Sequence, residues 1–520
     1  MKKQFILWLL TAMSVTAFAQ QQATYRNPII AGFHPDPSVL RVGNDYYIVN
    51  SSFEYFPGVP LYHSRDLVNW EQIGNVLDRE SQLPLKGASS WLGIYAPTLR
   101  YHNGIYYMIT TNVGNGGNFL VTAKNPKGPW SEPVWLQQQG IDPSLLFEGD
   151  KCYMVSNPDN VITLCEIDPL TGRQLTPGKA LWRGTGGRYP EGPHLYKIGD
   201  YYYLMISEGG TELAHRLTIA RSKTIYGPYE SNPANPIMTN CNMKGQSMQI
   251  QGTGHGDLVE DSTGQWWVVF LAYRNFGGSY HHLGRETCLA PVAWKDGWPI
   301  VNGGEAIDTV MTAKLLPQQP FAKPARRTTF ASGKIGPEWV HIQNPIPENY
   351  QLRDGVLRLI PHTTLNENDQ PTYLGRRQES PNILVETSVR LHAGQADATS
   401  TAAGLAVYQI NDGYYRLYVT SHSIKVDTRL KSVSTDLASL PLGDHTGDVC
   451  LRITSDGLIY HFLYSLDGRN YKELTQQNCA LVSTEVVGGF TGVTLGMFVE
   501  GSAATDWADF SYFDLASTGK

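Results

Sequence analysis

The sequence predicts an all-β protein of two domains, a five-bladed β-propeller followed by a β-sandwich. Three observations support this fold class. The 520 residues are too many for one ordinary hydrophobic core. Aromatic residues make up 11% of the chain, and 51 Gly and 31 Pro punctuate it, which is typical of many short strands joined by tight turns. A hairpin pattern also recurs five times before the chain changes character near residue 316.

The first residues have the pattern of a cleavable signal peptide over residues 1–19. Two lysines supply a positive start, a short apolar stretch follows, and Ala17-Phe18-Ala19 is an A-x-A cleavage site. The apolar stretch is too short to favour a membrane anchor, and no later stretch is long and apolar enough to span a bilayer. We therefore expect a periplasmic or secreted protein without membrane insertion.

Each of the five repeats opens with a short segment that leads into an apolar strand. The segments begin at Asp36, Ala96, Asp142, Gly192 and His255. Eleven positions after each start comes an aromatic residue, namely Tyr47, Tyr107, Tyr153, Tyr203 and Trp266. Gly, Asn and Asp residues lie between and tolerate the positive φ of hairpin turns. The starts are 46 to 63 residues apart, which suits one four-stranded blade each, so residues 20–315 are predicted to form the propeller. An irregular set of hairpins in a sandwich is the alternative.

The repeat register predicts where the chemistry lies. The innermost strand of each propeller blade lines the central channel, so the residue at its start, or the one before, points towards the axis. Those positions hold Asp36, Asp142, Glu191 and His255. Burying several carboxylates together is costly unless function requires it, which favours a catalytic site. Taken singly, Asp36 and Asp142 could be turn caps before proline, and His255 could be a hydrogen-bonded structural residue.

The remaining chain supports the second domain and narrows the function classes. Residues 316–329 are rich in proline and basic residues and are predicted to be a linker, and the successive strands of residues 330–520 predict the sandwich. The net charge of −6, with the charges interspersed, argues against nucleic-acid binding. Of the six cysteines, Cys152 and Cys165 could face each other across a hairpin, although buried free thiols are an equal alternative.

Several long segments resemble one known family, glycoside hydrolase family 43. NPIIAGFHPDPSVLRVGNDYYIVNSSFEYFPGVPLYHSRDLVNW resembles its N-terminal signature. RYPEGPHLY resembles the segment that holds its general acid, and GIDPSLLF the segment that holds its third carboxylate. The resemblance continues through HLGRET, DGWP and the FTG near Phe490. The chain is most similar to the two-domain branch of α-L-arabinofuranosidases and β-xylosidases, whose second domain is a concanavalin-like sandwich.

The resemblance implies a role for each candidate residue. Asp36 would be the general base that activates water, Glu191 the general acid, and Asp142 the group that orients Glu191 and raises its pKa. The residues implied to bind the sugar or line its pocket are Arg285, His255 and Phe490. Inverting hydrolysis places acid and base roughly 6.5–9.5 Å apart to leave room for water. No cofactor is required, although in some relatives the equivalent of His255 lies beside a metal ion, often calcium, which it would bind through water.

The aromatic residues near these motifs bear on the sugar. Phe53 and Trp91 are candidates to stack on it. Relatives that act on xylosides usually read Gly-Ile-Trp-Ala-Pro before the second inner strand, whereas this chain has Tyr95 in place of the tryptophan. The smaller ring and its hydroxyl favour an α-L-arabinofuranosidase. A pocket walled by loops and capped by the sandwich would favour exo-action, with release of terminal non-reducing residues from hemicellulose side chains or oligosaccharides. Arabinoxylan, arabinan and xyloglucan are all open as the parent polysaccharide. β-D-Xylosidase or dual activity is the alternative.

Two further readings belong to other functional classes. The segment from Ser64 to Trp70 resembles an Asp-box turn of sialidases, but those enzymes need three arginines for a carboxylate substrate, and the motifs do not supply them. A non-catalytic carbohydrate-binding propeller would be expected to have lost Asp36 or Glu191, and both are present.

Overall fold

The computed structural model describes residues 22–241, 249–322, 324–393, 401–501 and 505–519. Over these residues β-strands are by far the commonest regular structure, and they form four four-stranded sheets, one five-stranded sheet, one two-stranded sheet and two eight-stranded sheets. The predicted all-β class and the five blades are confirmed. The predicted signal peptide lies outside the described residues. Among the described residues, no helix is long and apolar enough to cross a membrane.

Each blade is built from one continuous segment. From the innermost strand outwards, blade one contains Ser38–Val42, Asp45–Val49, Gly58–Ser64 and Glu71–Leu77. Blade two contains Thr98–His102, Ile105–Val113, Gly117–Ala123 and Val134–Trp135, with Gly93–Ile94 beside its second strand. Blade three contains Ser144–Glu148, Lys151–Ser156, Ile162–Ile167 and Lys179–Trp182. Blade four contains Glu191–Ile198, Tyr201–Glu208, Arg216–Ser222 and Glu230–Ser231. Blade five contains Ile250–Glu260, Trp266–Arg274, Arg285–Lys295 and Trp298–Val301.

The eleven-residue offset in the sequence is the inner hairpin of each blade. In the first four blades the aromatic residue pairs with the residue four positions after the repeat start, in the pairs Leu40–Tyr47, Arg100–Tyr107, Leu146–Tyr153 and Tyr196–Tyr203. In blade five, Trp266 pairs with Glu260, one residue later. That ladder also has a bulge between Gly254 and Gly256, at His255. The repeat is therefore a strand register that four blades share and that shifts by one residue in the fifth.

The propeller ring is closed by the N-terminal segment. Strand Gln22–Arg26 pairs with Val310–Lys314, which follows the last blade. The Asn27 side chain donates to the carbonyl of Leu289 at 3.0 Å and accepts from its N–H at 2.9 Å. Tyr25 donates to the same carbonyl. Because blade five already has four strands of its own, these contacts fasten the first blade to the last without sharing a strand.

The channel is filled below the predicted site by a buried ionic network. Asp257 of blade five accepts hydrogen bonds from Ser38 of blade one, Arg100 of blade two and Tyr196 of blade four, at 2.7, 3.0 and 2.6 Å. Burial would raise the pKa of Asp257, but Arg100 and His194 lower it to about 2. An ionised carboxylate therefore joins four blades at the axis and fixes the inner strands that carry the site.

The second domain is a sandwich of two sheets. The first contains, in spatial order, Tyr350–Arg353, Val356–Leu359, Trp507–Ser517, Asn382–His392, Val449–Asp456, Ile459–Ser465 and Lys472–Asn478, with Arg327–Thr329 beside Trp507–Ser517. The second contains Val433–Pro441, Ser423–Leu430, Gly413–Val419, Ala402–Ile410, Thr494–Glu500, Tyr373–Arg377, Trp339–Ile342 and Tyr55–Phe56. The short helices of the described chain are Pro158–Asn160, Asn302–Gly304, Pro347–Asn349, Cys479–Val482 and Thr484–Val487.

The two domains share a sheet and a core. The two-residue strand Tyr55–Phe56 belongs to the propeller by sequence but pairs with Trp339–Ile342 at the edge of the sandwich. Phe33, Phe53 and Tyr55 pack in one buried cluster with sandwich residues that include Tyr373. A shared core of this kind holds the sandwich against the same end of the propeller as the predicted site.

All six cysteines are free thiols, and five are buried. Cys152 pairs with Ile167 and Cys165 with Met154, so the two cysteines are offset by two residues across their hairpin. Of the two alternatives from the sequence, the structure has free thiols rather than a disulfide.

Candidate active site

Left-handed backbone conformations aim the predicted residues at the axis. The angle φ is 53° at both Asp36 and Asp142, 58° at Gly192 and 45° at His255. In blades four and five, β-bulges interrupt the ladder at these positions. A positive φ is uncommon in residues other than glycine, and a bulge re-aims side chains out of the normal alternation. The same kink in four blades thus brings Asp36, Asp142, Glu191 and His255 to one end of the channel.

These residues line a single cavity of 380 Å³. Blades one to five and the sandwich all contribute to its wall. The lining residues are Asp36, Phe53, Tyr95, Ile141, Asp142, Tyr189, Glu191, Gly210, Thr211, Glu212, His255, Arg285 and Phe490. Of the residues predicted from the sequence, only Trp91 lies elsewhere. It is half exposed in a neighbouring cavity of 470 Å³, which shares Thr211, Glu212, Arg285 and Phe490 with the first.

Asp36 is held as an ionised carboxylate. Its Oδ2 accepts from Ser51 Oγ at 2.6 Å, and its Oδ1 accepts from Arg285 Nη1 at 3.0 Å. His255 Nδ1 lies 3.7 Å from the same Oδ1. Burial would raise the pKa of Asp36, but the Arg285 guanidinium, His255 and the Ser51 hydroxyl together lower it below 3.8. A carboxylate with this environment can accept a proton from water.

Asp142 and Glu191 are shifted in the opposite direction. Burial and the charge of Asp36 raise the pKa of Asp142 to about 6. His255 and the N–H of Gly192, which donates to Asp142 Oδ2 at 3.2 Å, act in the opposite direction but do not outweigh them. Burial and then the charges of Asp142 and Asp36 raise the pKa of Glu191 well above its usual range. One pocket therefore holds a carboxylate that stays ionised and a carboxylic acid that keeps its proton, which is the requirement for paired acid and base chemistry.

Arg285 connects the catalytic pocket to the sandwich. Its Nη1 donates to Asp36 and to Thr211 Oγ1, at 3.0 and 3.1 Å, and its Nη2 donates to the carbonyl of Phe490 at 3.2 Å. The guanidinium lies over the rings of Phe53 and Phe490, 5.7 and 5.6 Å from their centres. These contacts fix the guanidinium beside Asp36, at the wall of the cavity.

His255 lies between the carboxylates and packs closely on the backbone of blade four. A Cβ added at Gly192 would come within 3.0 Å of its ring. Calcium takes about six to eight oxygen ligands. Within the described residues, no group of three or more His, Cys, Asp and Glu side chains is placed to hold a metal ion. The residues around His255 therefore do not fit a calcium ion bound directly by side chains.

An aromatic wall closes one side of the cavity. Tyr95, Phe53 and Phe490 pack against one another: the Tyr95 ring centre is 5.1 and 6.3 Å from those of Phe53 and Phe490, which are themselves 5.9 Å apart. Its hydroxyl donates to the backbone carbonyl of Trp91 at 2.8 Å, so the hydroxyl ties the loop that carries Trp91. Phe490 reaches the wall from the sandwich and is partly exposed. The tyrosine that distinguishes this chain therefore shapes the pocket with its ring while its hydroxyl bonds to the protein.

Sequence reasoning missed several lining residues. Ile141 and Tyr189 lie one and two residues before the predicted Asp142 and Glu191, and could have been found by extending each motif. Thr211 and Glu212 lie in the loop after Tyr201–Glu208, where no repeat register applies. Arg285 is the single arginine that lines the cavity among the described residues, so the three-arginine site of a sialidase is not formed.

Both domains match known families. The sequence model of glycosyl hydrolases family 43 matches residues 25–299. The model of the β-xylosidase C-terminal concanavalin A-like domain matches residues 327–516, which confirms the predicted type of sandwich.

Full-length relatives share the same two-domain organisation. The chain is 42% identical to a non-reducing end α-L-arabinofuranosidase of Bacteroides ovatus, over 98% of both chains. It is 40% identical to a xylosidase/arabinosidase of Butyrivibrio fibrisolvens, over 94% of this chain and 98% of that one. A solved structure described as "Bacteroides ovatus Xyloglucan PUL GH43B" superimposes with a TM-score of 0.91 at 42% identity, covering 95% of this chain and all of that one.

Proposed function

The chain belongs to glycoside hydrolase family 43, and from this we propose that it is an exo-acting, inverting α-L-arabinofuranosidase that releases terminal non-reducing α-L-arabinofuranosyl residues. The main support for the mechanism is that the pKa values of carboxyl groups in one pocket are shifted in opposite directions. The pKa of Asp36 is lowered, while those of Asp142 and Glu191 are raised.

In this mechanism Asp36 is the general base. Its ionised carboxylate removes a proton from a water molecule, whose oxygen attacks the anomeric carbon from the face opposite the leaving group. Arg285 and Ser51 hold the carboxylate in place and favour its charged form before the step. Because the Arg285 guanidinium stabilises the charged form of Asp36, it also lowers the basicity of the carboxylate.

Glu191 is the general acid. It gives its proton to the glycosidic oxygen as the bond to the anomeric carbon breaks, and the leaving sugar departs as a neutral alcohol. Asp142 is a positioning residue that raises the pKa of Glu191 through its charge and binds the N–H of Gly192, the next residue in the chain. The released arabinose has the opposite anomeric configuration, and the two carboxyl groups regain their starting states by exchange with solvent.

The pocket supports exo-action on a pentose. A cavity of 380 Å³ closed by Tyr95 and Phe490 suits a terminal residue better than an internal stretch of a chain. The arabinofuranosidase from Bacteroides ovatus is the relative that favours arabinose. β-D-Xylosidase activity is the second candidate, favoured by the xylosidase/arabinosidase from Butyrivibrio fibrisolvens, which is nearly as similar.

Hemicellulose oligosaccharides are the proposed substrates. The superimposed Bacteroides ovatus protein is named for xyloglucan, which favours arabinosylated xyloglucan over arabinoxylan and arabinan. The N-terminal pattern over residues 1–19 supports action in the periplasm or outside the cell. The proposed steps need carboxyl groups, an arginine and water. A structural calcium ion at the propeller centre would be held by His255 through water.

A paired assay tests this proposal. We expect the wild-type protein to hydrolyse 4-nitrophenyl α-L-arabinofuranoside with a higher kcat/KM than 4-nitrophenyl β-D-xyloside. Asp36→Ala should reduce the arabinoside activity by several orders of magnitude, whereas Tyr101→Ala, at the opposite mouth of the channel, should not. A preference for the xyloside would reverse the order of the two candidates, and full activity of Asp36→Ala would refute the mechanism.

A further inference from the structure

Tyr189 is held in a strained backbone conformation at the mouth of the catalytic pocket. Its φ is 50°, and 54% of the residue is exposed although it lines the cavity. A bulky residue with positive φ is an outlier, and such strain persists where the surrounding structure enforces it, most often at functional sites. Pro190 is the only residue between Tyr189 and Glu191 in the chain.

The neighbouring loop fixes this conformation. The N–H of Gly209 donates to the Arg188 carbonyl at 2.7 Å, and Arg188 Nη2 donates back to the Gly209 carbonyl at 3.1 Å and to Glu212. Gly210, whose φ is 75°, lies under the same side chains: a Cβ there would come within 2.8 Å of Glu212, 2.9 Å of Arg188 and 3.5 Å of the Tyr189 ring. The ring is therefore presented on two loops that bind each other.

One face of the ring is covered and the other is available. The Arg188 guanidinium lies over the Tyr189 ring, 5.4 Å from its centre. The exposed fraction of the residue and its place in the cavity wall leave the second face turned to the pocket mouth. Flat aromatic faces supply large apolar contact area, which suits the C–H face of a sugar ring.

The location of Tyr189 relative to the acid indicates which sugar it would meet. Glu191 protonates the glycosidic oxygen in the proposed mechanism, so the leaving sugar must lie on the side of Glu191. The neighbouring cavity that contains Trp91 adjoins the pocket through Thr211, Glu212, Arg285 and Phe490, and its lining includes neither Glu191 nor Tyr189. The Trp91 cavity is therefore the weaker candidate for the leaving sugar.

We propose that the open face of Tyr189 is the floor of a subsite for the leaving sugar, and that this subsite selects neutral pyranose rings. The inference rests on the proposed function, because it takes Glu191 as the acid. The charge of Arg188 is matched by Glu212, which disfavours binding of a uronic acid at the same place. Tyr189 is thus a specificity-determining residue for the group that the released sugar is attached to.

The test compares two substrates that share the transferred sugar. An arabinofuranosyl-substituted xyloglucan or xylan oligosaccharide has a sugar leaving group, whereas α-L-arabinofuranosyl fluoride has a single atom that makes no stacking contact. The measured quantity is the ratio of kcat/KM on the oligosaccharide to kcat/KM on the fluoride. We expect Tyr189→Gly to lower this ratio at least roughly 10- to 200-fold, the range for loss of a single small apolar contact with a substrate. Tyr189→Phe should keep the ratio near that of the wild type.

Two controls decide the interpretation. Glycine accepts a φ of 50°, so the melting temperature of Tyr189→Gly should not fall, which separates loss of the ring from loss of the fold. Tyr101→Ala, another exposed aromatic residue, should not change the ratio. An unchanged ratio in Tyr189→Gly, or a fall confined to Trp91→Ala, would overturn the subsite. Failure of the wild-type protein to cleave the fluoride would instead refute the proposed function.

Discussion

Replacing Asp142 by asparagine should make the protein more stable at neutral pH while reducing its activity. The pKa of Asp142 is raised from 3.8 to about 6, mainly by burial and then by the charge of Asp36, which corresponds to about 3 kcal/mol. The folded state thus binds the Asp142 proton more tightly than the unfolded state. Below pH 3.8 both states are protonated and no penalty applies. Between pH 3.8 and 6 the unfolded state ionises first, so stability is lost, and near pH 7 the full penalty is present.

Asparagine removes the charge and keeps an oxygen that can accept from the Gly192 N–H. We therefore expect the melting temperature of Asp142→Asn at pH 7 to rise by an amount on the order of 5 °C, and the gain to vanish near pH 4. Thermal unfolding followed by circular dichroism at the two pH values measures this difference.

Asp36→Asn is the matched control with the opposite sign. Burial opposes ionisation of Asp36, but Arg285 and His255 outweigh it and lower the pKa below 3.8. Asp36 therefore contributes stability above pH 3.8, which is lost as the pH falls through the lowered pKa. Asp36→Asn should melt at a lower temperature than the wild type at pH 7. If Asp142→Asn were destabilised at pH 7, or if the two variants changed stability in the same direction, the assignment of the charged and protonated carboxyls would be wrong.

Three further predictions concern the acid Glu191, its coupling to Asp142, and the hydroxyl of Tyr95. Glu191→Gln should lose roughly 10²- to 10⁴-fold in kcat on 4-nitrophenyl arabinofuranoside. The loss should be much smaller on the 2,4-dinitrophenyl compound, because its leaving group needs no proton. An equal loss on both substrates would exclude Glu191 as the acid. In Asp142→Asn the alkaline limb of the pH profile of kcat/KM should move to lower pH, because one of the charges that raise the pKa of Glu191 is removed. An alkaline limb at the wild-type pH would contradict this coupling. Tyr95→Phe removes the hydrogen bond to the Trp91 carbonyl and should lower the free energy of unfolding by about 1 kcal/mol, while the ring in the pocket is kept. A selective loss of arabinoside activity without destabilisation would instead show that the hydroxyl contacts the sugar.

The propeller and its central residues were predictable because they depend on a local rule that repeats. Asp36, Asp142 and His255 occupy one register position, and the left-handed φ found at all three is the physical basis of the pattern. Glu191 precedes the equivalent Gly192, whose φ of 58° gives that blade the same kink.

Features that depend on loop length or on contacts between domains were not predictable. Cys152 and Cys165 are symmetric about the turn by sequence, but the hairpin axis is one residue further along, so each cysteine pairs with an apolar residue instead. Trp91 follows a propeller loop that hydrogen-bonds to the sandwich through Leu85 and Ser90, and it lines the neighbouring cavity. The pairing of Tyr55–Phe56 with Trp339–Ile342 joins segments about 290 residues apart, a separation at which no local pattern acts.

The stereochemistry of hydrolysis tests the central claim that Asp36 activates water while Glu191 supplies a proton. Proton NMR during the first minutes of hydrolysis of an aryl α-L-arabinofuranoside, before the sugar equilibrates, reports the anomer that forms first. Direct attack by water held by Asp36 predicts β-L-arabinofuranose, the inverted product. Initial formation of the α-anomer would mean that a protein group attacks the sugar, and it would contradict the role assigned to Asp36.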